Sequence, residues 1–332
     1  MGIVDSLAPN FKHTVTSRGI KYHYYFAAPS AGKPTILFVH GFPSLAVDWW
    51  PQIAHFKEKG YGLVVPDQLG YGGTDKPTEK AAYVQSLIAK DLVDIIDHEK
   101  ITDALAVGHD WGSKTTSVLA NLHADRFVGF GFLAVGYLPP AASWGLEHLK
   151  ETSIKHLGRE TFGYWHFFTA PDAPGVIKAH TDSCIDILYA KDTRLWLSNV
   201  CPTGAIRYFV ESDTRTPRVP FIPDELFKLY QEEFNKYGLD HQLNYYRQAI
   251  SELAAEDDKN IPLEKHTIQK PVFFGGASRD LVCVEAGQEA QTRQYCPNLT
   301  LASFDTTHWV AAEAPKQVNE ALEKWIQEVV IA

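Results

Sequence analysis

Gly108-His109-Asp110-Trp111-Gly112 lies between Ala104-Leu105-Ala106-Val107, a short apolar run of the kind that forms a buried strand, and Ser113 to His123, which reads as a helix. A Gly-x-nucleophile-x-Gly turn joining a strand to a helix is an elbow, whose small flanking residues let a strained residue stand clear of the backbone. At its tip this chain carries an aspartate where a serine is usual. The competing reading is that Asp110 only N-caps the helix, a position aspartate favours.

Each nucleophile leaves a different product. A serine attacking a saturated carbon would leave an ether and stop after one turnover. A carboxylate attacking the same carbon leaves an alkyl ester, which water can cleave at the carbonyl. Asp110 at the tip therefore implies an electrophilic sp³ carbon, such as that of an epoxide or an alkyl halide.

Outward from the elbow, strands and helices alternate. Lys12 to Thr16 and Ile20 to Phe26 read as a hairpin, and Thr35 to Val39 and Gly62 to Pro66 as buried strands. Asp48 to Lys59 and Tyr83 to Ile96 read as helices, and Phe127 to Ala134 as a further strand. This spacing predicts βαβ crossovers and a mostly parallel sheet covered on both faces, an α/β fold. The alternation stops at Pro139-Pro140. Residues 141–262 read as aromatic-rich helical pieces broken by proline loops, and strands return at Pro271 to Gly276 and Leu299 to Phe304, before a helix over Lys316 to Val330. The expected organisation is a core in two parts, 1–140 and 263–332, interrupted by a helical lid over 141–262. An insert leaving the C-terminal edge of a parallel sheet lies over the ligand crevice of such folds.

Composition narrows the function classes. A net charge of −9 without a Lys/Arg run argues against a nucleic-acid partner. No apolar run reaches the roughly 18 residues of a spanning helix, so no stable membrane insertion is expected. Met1 to Lys12 has neither the basic nor the apolar region of a signal peptide. Cys184, Cys201, Cys283 and Cys296 lack paired spacing and read as free thiols, so a cytoplasmic location is expected. No metal-ligand spacing or dinucleotide fingerprint is visible. Gly70 to Gly73 lacks the Gly-Lys-Ser/Thr of a phosphate loop and reads as a structural turn. The expectation is thus no metal and no cofactor; nothing in the residues sets an oligomeric state.

Two loops after strands carry the remaining chemistry. Ala277-Ser278-Arg279-Asp280 follows one strand of the second core part, and Thr306-Thr307-His308-Trp309 follows the last. Nucleophile, acid and histidine in this order make His308 the base that activates water and Asp280 the group that orients its imidazole. Asp305 is the rival acid; three residues before His308, it more plausibly closes the turn.

These residues, with His40-Gly41-Phe42-Pro43 and Gly70-Tyr71-Gly72, resemble the epoxide hydrolases of the α/β-hydrolase fold, the soluble type without a further domain. In the lid, Phe162-Gly163-Tyr164-Trp165 and Leu243-Asn244-Tyr245-Tyr246-Arg247 are similar to the segments bearing that family's paired tyrosines. The resemblance implies a lipophilic epoxide and water as reactants and a vicinal diol as product. It gives Tyr164 and Tyr246 the epoxide oxygen, which needs a proton as it becomes an alkoxide. Tyr245 competes with Tyr246, because adjacent helical residues point about 100° apart; register with the family favours Tyr246. The backbone N–H groups of Phe42 and Trp111 are expected to hold the oxyanion of ester hydrolysis. His40, Phe42, Trp111, Trp165 and Trp309 are expected around the substrate. The lid aromatics Trp144, Phe162, Trp165, Phe167, Phe168 and Trp196 suggest an apolar tunnel.

Two other readings compete. A haloalkane dehalogenase shares the fold and the elbow aspartate, but commonly has a second side-chain halide donor just after the His-Gly, where this chain has Phe42. A non-catalytic ligand-binding member of the fold would have no need of the complete Asp110, Asp280 and His308 set. A serine esterase is disfavoured because Ser113 lies off the elbow tip.

Overall fold

The computed structural model describes residues 2–140 and 145–331. The expected tunnel residue Trp144 and the first lid positions from Ala141 lie outside the described residues. The chain divides into two compact units. The first comprises Met1–Pro77, Val84–Pro140 and Lys259–Ala332; the second comprises Thr78–Tyr83 and Ala141–Asp258.

The first unit is an eight-stranded sheet: β1 (Phe11–Val15), β2 (Lys21–Ala27), β3 (Thr35–Val39), β4 (Gly62–Pro66), β5 (Ala104–His109), β6 (Phe127–Leu133), β7 (Val272–Ala277) and β8 (Leu299–Phe304). Their order across the sheet is β1-β2-β4-β3-β5-β6-β7-β8. The β1–β2 and β2–β4 pairs are antiparallel, and every pair from β4 to β8 is parallel. All residues of β3, β4, β5 and β7 are buried, which explains why these strands are continuous apolar runs rather than alternating ones.

Sequence order runs outward from β3 to β4 on one side, then returns to β5 and proceeds to β8 on the other. The C-terminal ends of β3 and β5 therefore form a topological switch point, the place where open α/β sheets form a ligand crevice. His40-Gly41-Phe42-Pro43 leaves β3 there, with a cis bond between Phe42 and Pro43, and Asp110 leaves β5. The loops bearing Asp280 and His308 follow β7 and β8 on the same edge. Helices Trp50–Glu58, Gln85–His98, Trp111–Leu122, Glu285–Tyr295 and Pro315–Trp325 connect or follow the strands. The last was expected to continue to Val330, but Ile326–Val330 widens into a π-helical turn.

The second unit is helical. Its longer members are Leu146–Leu157 and Asp224–Tyr237, and the others, such as Tyr164–Phe168 and Asn244–Ala249, are one or two turns long. The segment 78–83, which the alternation of strands assigns to the core, belongs to this unit. There Asn244 Nδ2 donates to the Thr78 carbonyl and the Tyr83 ring meets the edge of Tyr245. No helix among the described residues is long and apolar enough to cross a membrane.

Candidate active site

Asp110 has φ 53° and ψ −123°, a backbone conformation that L-residues avoid and that tight packing must maintain. That packing is visible at the flanking glycines. A Cβ on Gly112 would run into the Val39 and His40 carbonyls, and one on Gly41 into the Asp110 side chain. The helix Trp111–Leu122 begins directly behind the aspartate, two residues earlier than expected, and Asp110 forms no side-chain cap on it. The N-cap reading is therefore wrong: the carboxylate is presented outward. Its Oδ1 accepts the Phe42 backbone N–H at 2.7 Å, and its Oδ2 lies 3.6 Å from His308 Nε2.

His308 is buried, and its Nδ1 donates to Asp280 Oδ2 at 2.6 Å. The other oxygen of Asp280 accepts the backbone N–H groups of Val282 at 2.8 Å and Cys283 at 3.0 Å. Every Asp280 contact thus favours the ionised carboxylate in one orientation. Asp305 is mostly exposed and pairs with Arg279 Nε at 2.8 Å. The structure brings Asp110, His308 and Asp280 into one chain of contacts and leaves Asp305 out of it.

The three groups set one another's charge. Burial alone would raise the pKa of Asp110, but the hydrogen bond and charge of His308, with the nearby His109 and the Phe42 N–H, bring it below the usual carboxylate value. Burial likewise opposes ionisation of Asp280, and the charge and hydrogen bond of His308 override it. For His308 burial acts to lower the pKa, yet Asp280's charge and the bonds to Asp110 and Asp280 raise it well above the ordinary imidazole value. Both carboxylates thus favour the protonated form of the imidazole between them.

His40 and Trp309 line a cavity of about 30 Å³ with Ser44, Asp48, Trp49 and His109, room for about one water molecule. His40 is fully enclosed: its Nε2 accepts the Gln68 backbone N–H at 2.9 Å, so its Nδ1, 2.9 Å from the Gly41 carbonyl, carries the proton. Burial keeps this ring neutral. Phe42 and Trp111 are buried beside the elbow, and the Trp309 ring meets His308 edge-on at 5.1 Å. In the second unit Tyr164 and Tyr246 meet edge to face with centroids 6.1 Å apart, and Trp165 packs on Tyr246 at 5.1 Å. Tyr245 instead turns to Tyr83 at 5.6 Å. Phe168 joins the Tyr164–Tyr246 cluster, whereas Trp196 is buried with its indole N–H on the Ile187 carbonyl.

Three neighbours escaped the sequence reading. His109, inside the elbow motif itself, donates Nε2–H to the His308 backbone carbonyl at 2.8 Å; burial, then the nearby His308 charge, lowers its pKa to about 4. Its place beside the nucleophile was the available signal. Asp67, at the end of β4, accepts the N–H groups of Ala46 at 2.9 Å and Gly73 at 3.0 Å and meets His23 Nδ1 at 2.7 Å. It ties the turn after β4 to the loop that follows Phe42. Cys283, third after Asp280, places its sulfur near His308; no sequence pattern marks it.

Comparison with known proteins agrees with this architecture. A family model described as the alpha/beta hydrolase fold matches residues 34–315. The chain is 27% identical over 328 residues to an epoxide hydrolase of Caballeronia sordidicola, covering 96% of this chain and 94% of that one. It is 28% identical over 312 residues to epoxide hydrolase A of Mycobacterium tuberculosis, covering 90% and 92%. Among solved structures, it is similar to epoxide hydrolase A from Mycobacterium thermoresistibile (TM-score 0.75, 25% identity, 96% and 98% coverage). An epoxide hydrolase from an endophytic Streptomyces is also similar, with a TM-score of 0.78, 25% identity, and 96% and 95% coverage. With an aspartate on a strained elbow, a histidine–acid couple at the same sheet edge and a family match across most of its length, the chain belongs to the α/β-hydrolase fold family.

Proposed function

We propose that this protein is an epoxide hydrolase that converts a lipophilic epoxide and water into a vicinal diol through an alkyl ester on Asp110. The observation that carries the reading is the carboxylate raised on the positive-φ elbow, 3.6 Å from an imidazole whose far nitrogen is held by Asp280. The full-length similarity to epoxide hydrolases supports the choice of substrate.

In the first step an oxygen of ionised Asp110 attacks one ring carbon, the carbon–oxygen bond on that side breaks, and the oxygen takes a proton. Tyr164 and Tyr246 are the donors in this reading. Their mutual packing in the lid, and the turn of Tyr245 toward Tyr83, support Tyr246 over its neighbour. A halide leaves without a proton, so a pair of phenols is specific to the epoxide.

Alkylation then changes His308. Once Asp110 is an ester it is neutral, and one of the charges that held the imidazolium is gone. The pKa of His308 falls and the ring releases its proton to solvent, which restores the phenol that protonated the alkoxide. The neutral ring becomes the base that the second step requires. Water attacks the ester carbonyl, His308 takes its proton, and the backbone N–H groups of Phe42 and Trp111 hold the oxyanion. Collapse releases the diol and restores the Asp110 carboxylate. The Phe42 N–H already points at Oδ1 in the resting site, which supports this assignment. No cofactor is required by this chemistry.

The test is to place the protein and its Asp110→Ala variant on panels of aryl epoxides and haloalkanes, scoring diol and halide. Diol from the wild type alone is expected. Halide release without diol would instead make the protein a dehalogenase, and no product from either panel would favour a ligand-binding role.

A further inference from the structure

Asp280, Cys283 and His308 each offer one ligand atom, and the three atoms lie within 4.8 Å of one another. All three residues are buried, at 4%, 9% and 6% exposure. A carboxylate oxygen, a thiolate sulfur and an imidazole nitrogen form a donor set that suits zinc or cadmium and is poor for magnesium or calcium. We propose that these residues form a binding site for a soft divalent cation, occupation of which withdraws His308 from the reaction.

A buried cysteine is ordinarily a small apolar filler, and Cys184 and Cys296 are buried free thiols of that kind, while the Cys201 sulfur accepts a hydrogen bond from Arg159 Nη1 at 3.6 Å. Cys283 differs by its neighbours. It stands one turn of loop beyond Asp280, and its own backbone N–H is bonded to Asp280 Oδ1. Its side chain faces His308, which arrives from the loop after β8. The loops after two adjacent strands therefore supply all three donors. Two of the three ligands, Asp280 and Cys283, are held on one short backbone segment, so little ordering remains for a cation to impose. The spacing is close to what is needed. Around a tetrahedral zinc, with metal–nitrogen and metal–oxygen bonds near 2.1 Å and a metal–sulfur bond near 2.3 Å, donors stand about 3.4–3.6 Å apart. The separations, none above 4.8 Å, have to settle to that range, and the 2.6 Å Nδ1–Oδ2 contact has to open by somewhat less than about 1 Å as the cation replaces the shared proton.

The proton balance is explicit. The thiol gives its proton to solvent as the metal–thiolate bond forms, and the imidazole binds as the neutral ring, giving up its second proton in the same way. With three protein ligands, a fourth position is left for water or a small anion. A histidine bound to the cation cannot take a proton from water. In the two-step reaction proposed above, ester formation on Asp110 would then survive while ester hydrolysis stops. That consequence rests on the proposed function; the binding itself does not.

Two readouts on the intact protein keep the two apart. Titration with Cd²⁺ should produce the ultraviolet charge-transfer band of a cadmium thiolate, saturating at one equivalent. In Cys283→Ala the band should vanish and Cd²⁺ affinity fall by about 100-fold or more; Mg²⁺ should give no change in either protein. Cys283→Ser, which keeps the volume, serves the same comparison if the alanine variant does not fold. A band that persists in these variants, or no band in the wild type, overturns the site whatever the enzyme does. Stoichiometric Zn²⁺ should also cut steady-state diol formation at least about tenfold, reversibly on chelation, but leave each Cys283 variant near its own metal-free rate. Binding without this inhibition would overturn the claim that the cation withdraws His308 and leave the site standing.

Discussion

The sheet unit and the helical unit hold their side chains in place by different means. In the first, the groups of the candidate site hang on backbone: Asp110 on a strained elbow, Asp280 on two amides, His308 on the carbonyl bond from His109. In the second, most helices are one or two turns long, well short of what is stable alone. Side-chain contacts do the holding there. Tyr189 stacks on Tyr230 at 5.1 Å, the Tyr164, Trp165, Phe168 and Tyr246 rings form one cluster, and buried Asp186 is gripped by Arg215 and Arg218, each at 2.6 Å. A strand-built site tolerates variation away from its backbone anchors, whereas a lid of short helices depends on particular side chains.

The sharpest way to break this comparison is to stall the reaction in the sheet unit alone. His308→Gln should lower turnover by about 10⁴-fold or more while leaving the first step intact. Mass spectrometry of the protein after exposure to an epoxide should then find the alkyl group on the peptide containing Asp110. An unmodified peptide at equal turnover loss would reject the ester mechanism. The acid gives the next contrast. Asp280→Asn should cost turnover by about 10³- to 10⁴-fold, and Asp305→Asn should be nearly silent, because its partner Arg279 is half-exposed and Asp305 more so. Equal losses would reassign the acid.

In the lid, replacing Tyr164 and Tyr246 together by phenylalanine should reduce ester formation by about 10²- to 10⁴-fold without altering the thermal transition much. Tyr245→Phe should leave the rate close to wild type. If the single Tyr245 change has the larger effect, the pairing seen in the lid is not the functional one.

Stability sharpens the contrast further. Ile36→Ala, in the fully buried β3, removes core volume and should cost about 3 kcal/mol in urea unfolding. Asp186→Ala should cost about 2 kcal/mol, less than a fully buried pair because Arg215 is half in solvent. A negligible cost would mean that the aromatic cluster alone carries the lid.

The smallest effect is electrostatic. Asp110→Asn removes a carboxylate from beside the imidazolium, so an NMR titration should find the pKa of His308 lower than in the wild type. Because the folded value is raised, this group's contribution to stability is present at low pH and is lost as pH climbs through that raised pKa. The variant should lose that contribution at a lower pH than the wild type. An unchanged titration would deny the charge switch by which alkylation frees the base.

Much of this was legible in the residues. β3, β4 and β8 occupy the ranges expected of them, since each is a β-rich run bounded by turn-forming or polar residues. β5 runs on to His109 and the following helix starts at Trp111, so the elbow is tighter than the flanking patterns indicated. The glycines explain this: without a Cβ at Gly108 and Gly112, strand and helix approach until their backbones touch. Segment 78–83 was less legible, because its membership depends on Tyr83 meeting Tyr245, more than 160 positions away.

The succession of strands along the chain, an aspartate at a strand-to-helix elbow, and an acidic residue and a histidine in loops after later strands were legible in the sequence alone. Each is a local pattern, apolar period or turn chemistry, that needs no distant partner to be read. The sequence favoured Asp280 over Asp305 and Tyr246 over Tyr245, but only the tertiary structure shows Asp280 bonded to the imidazole with Asp305 left out, Tyr246 rather than Tyr245 against Tyr164, His109 on the His308 carbonyl, and a cysteine beside the histidine. Those are contacts between segments distant in the chain, and hydrogen bonds and ring packing reward proximity in space, which one-dimensional spacing does not encode.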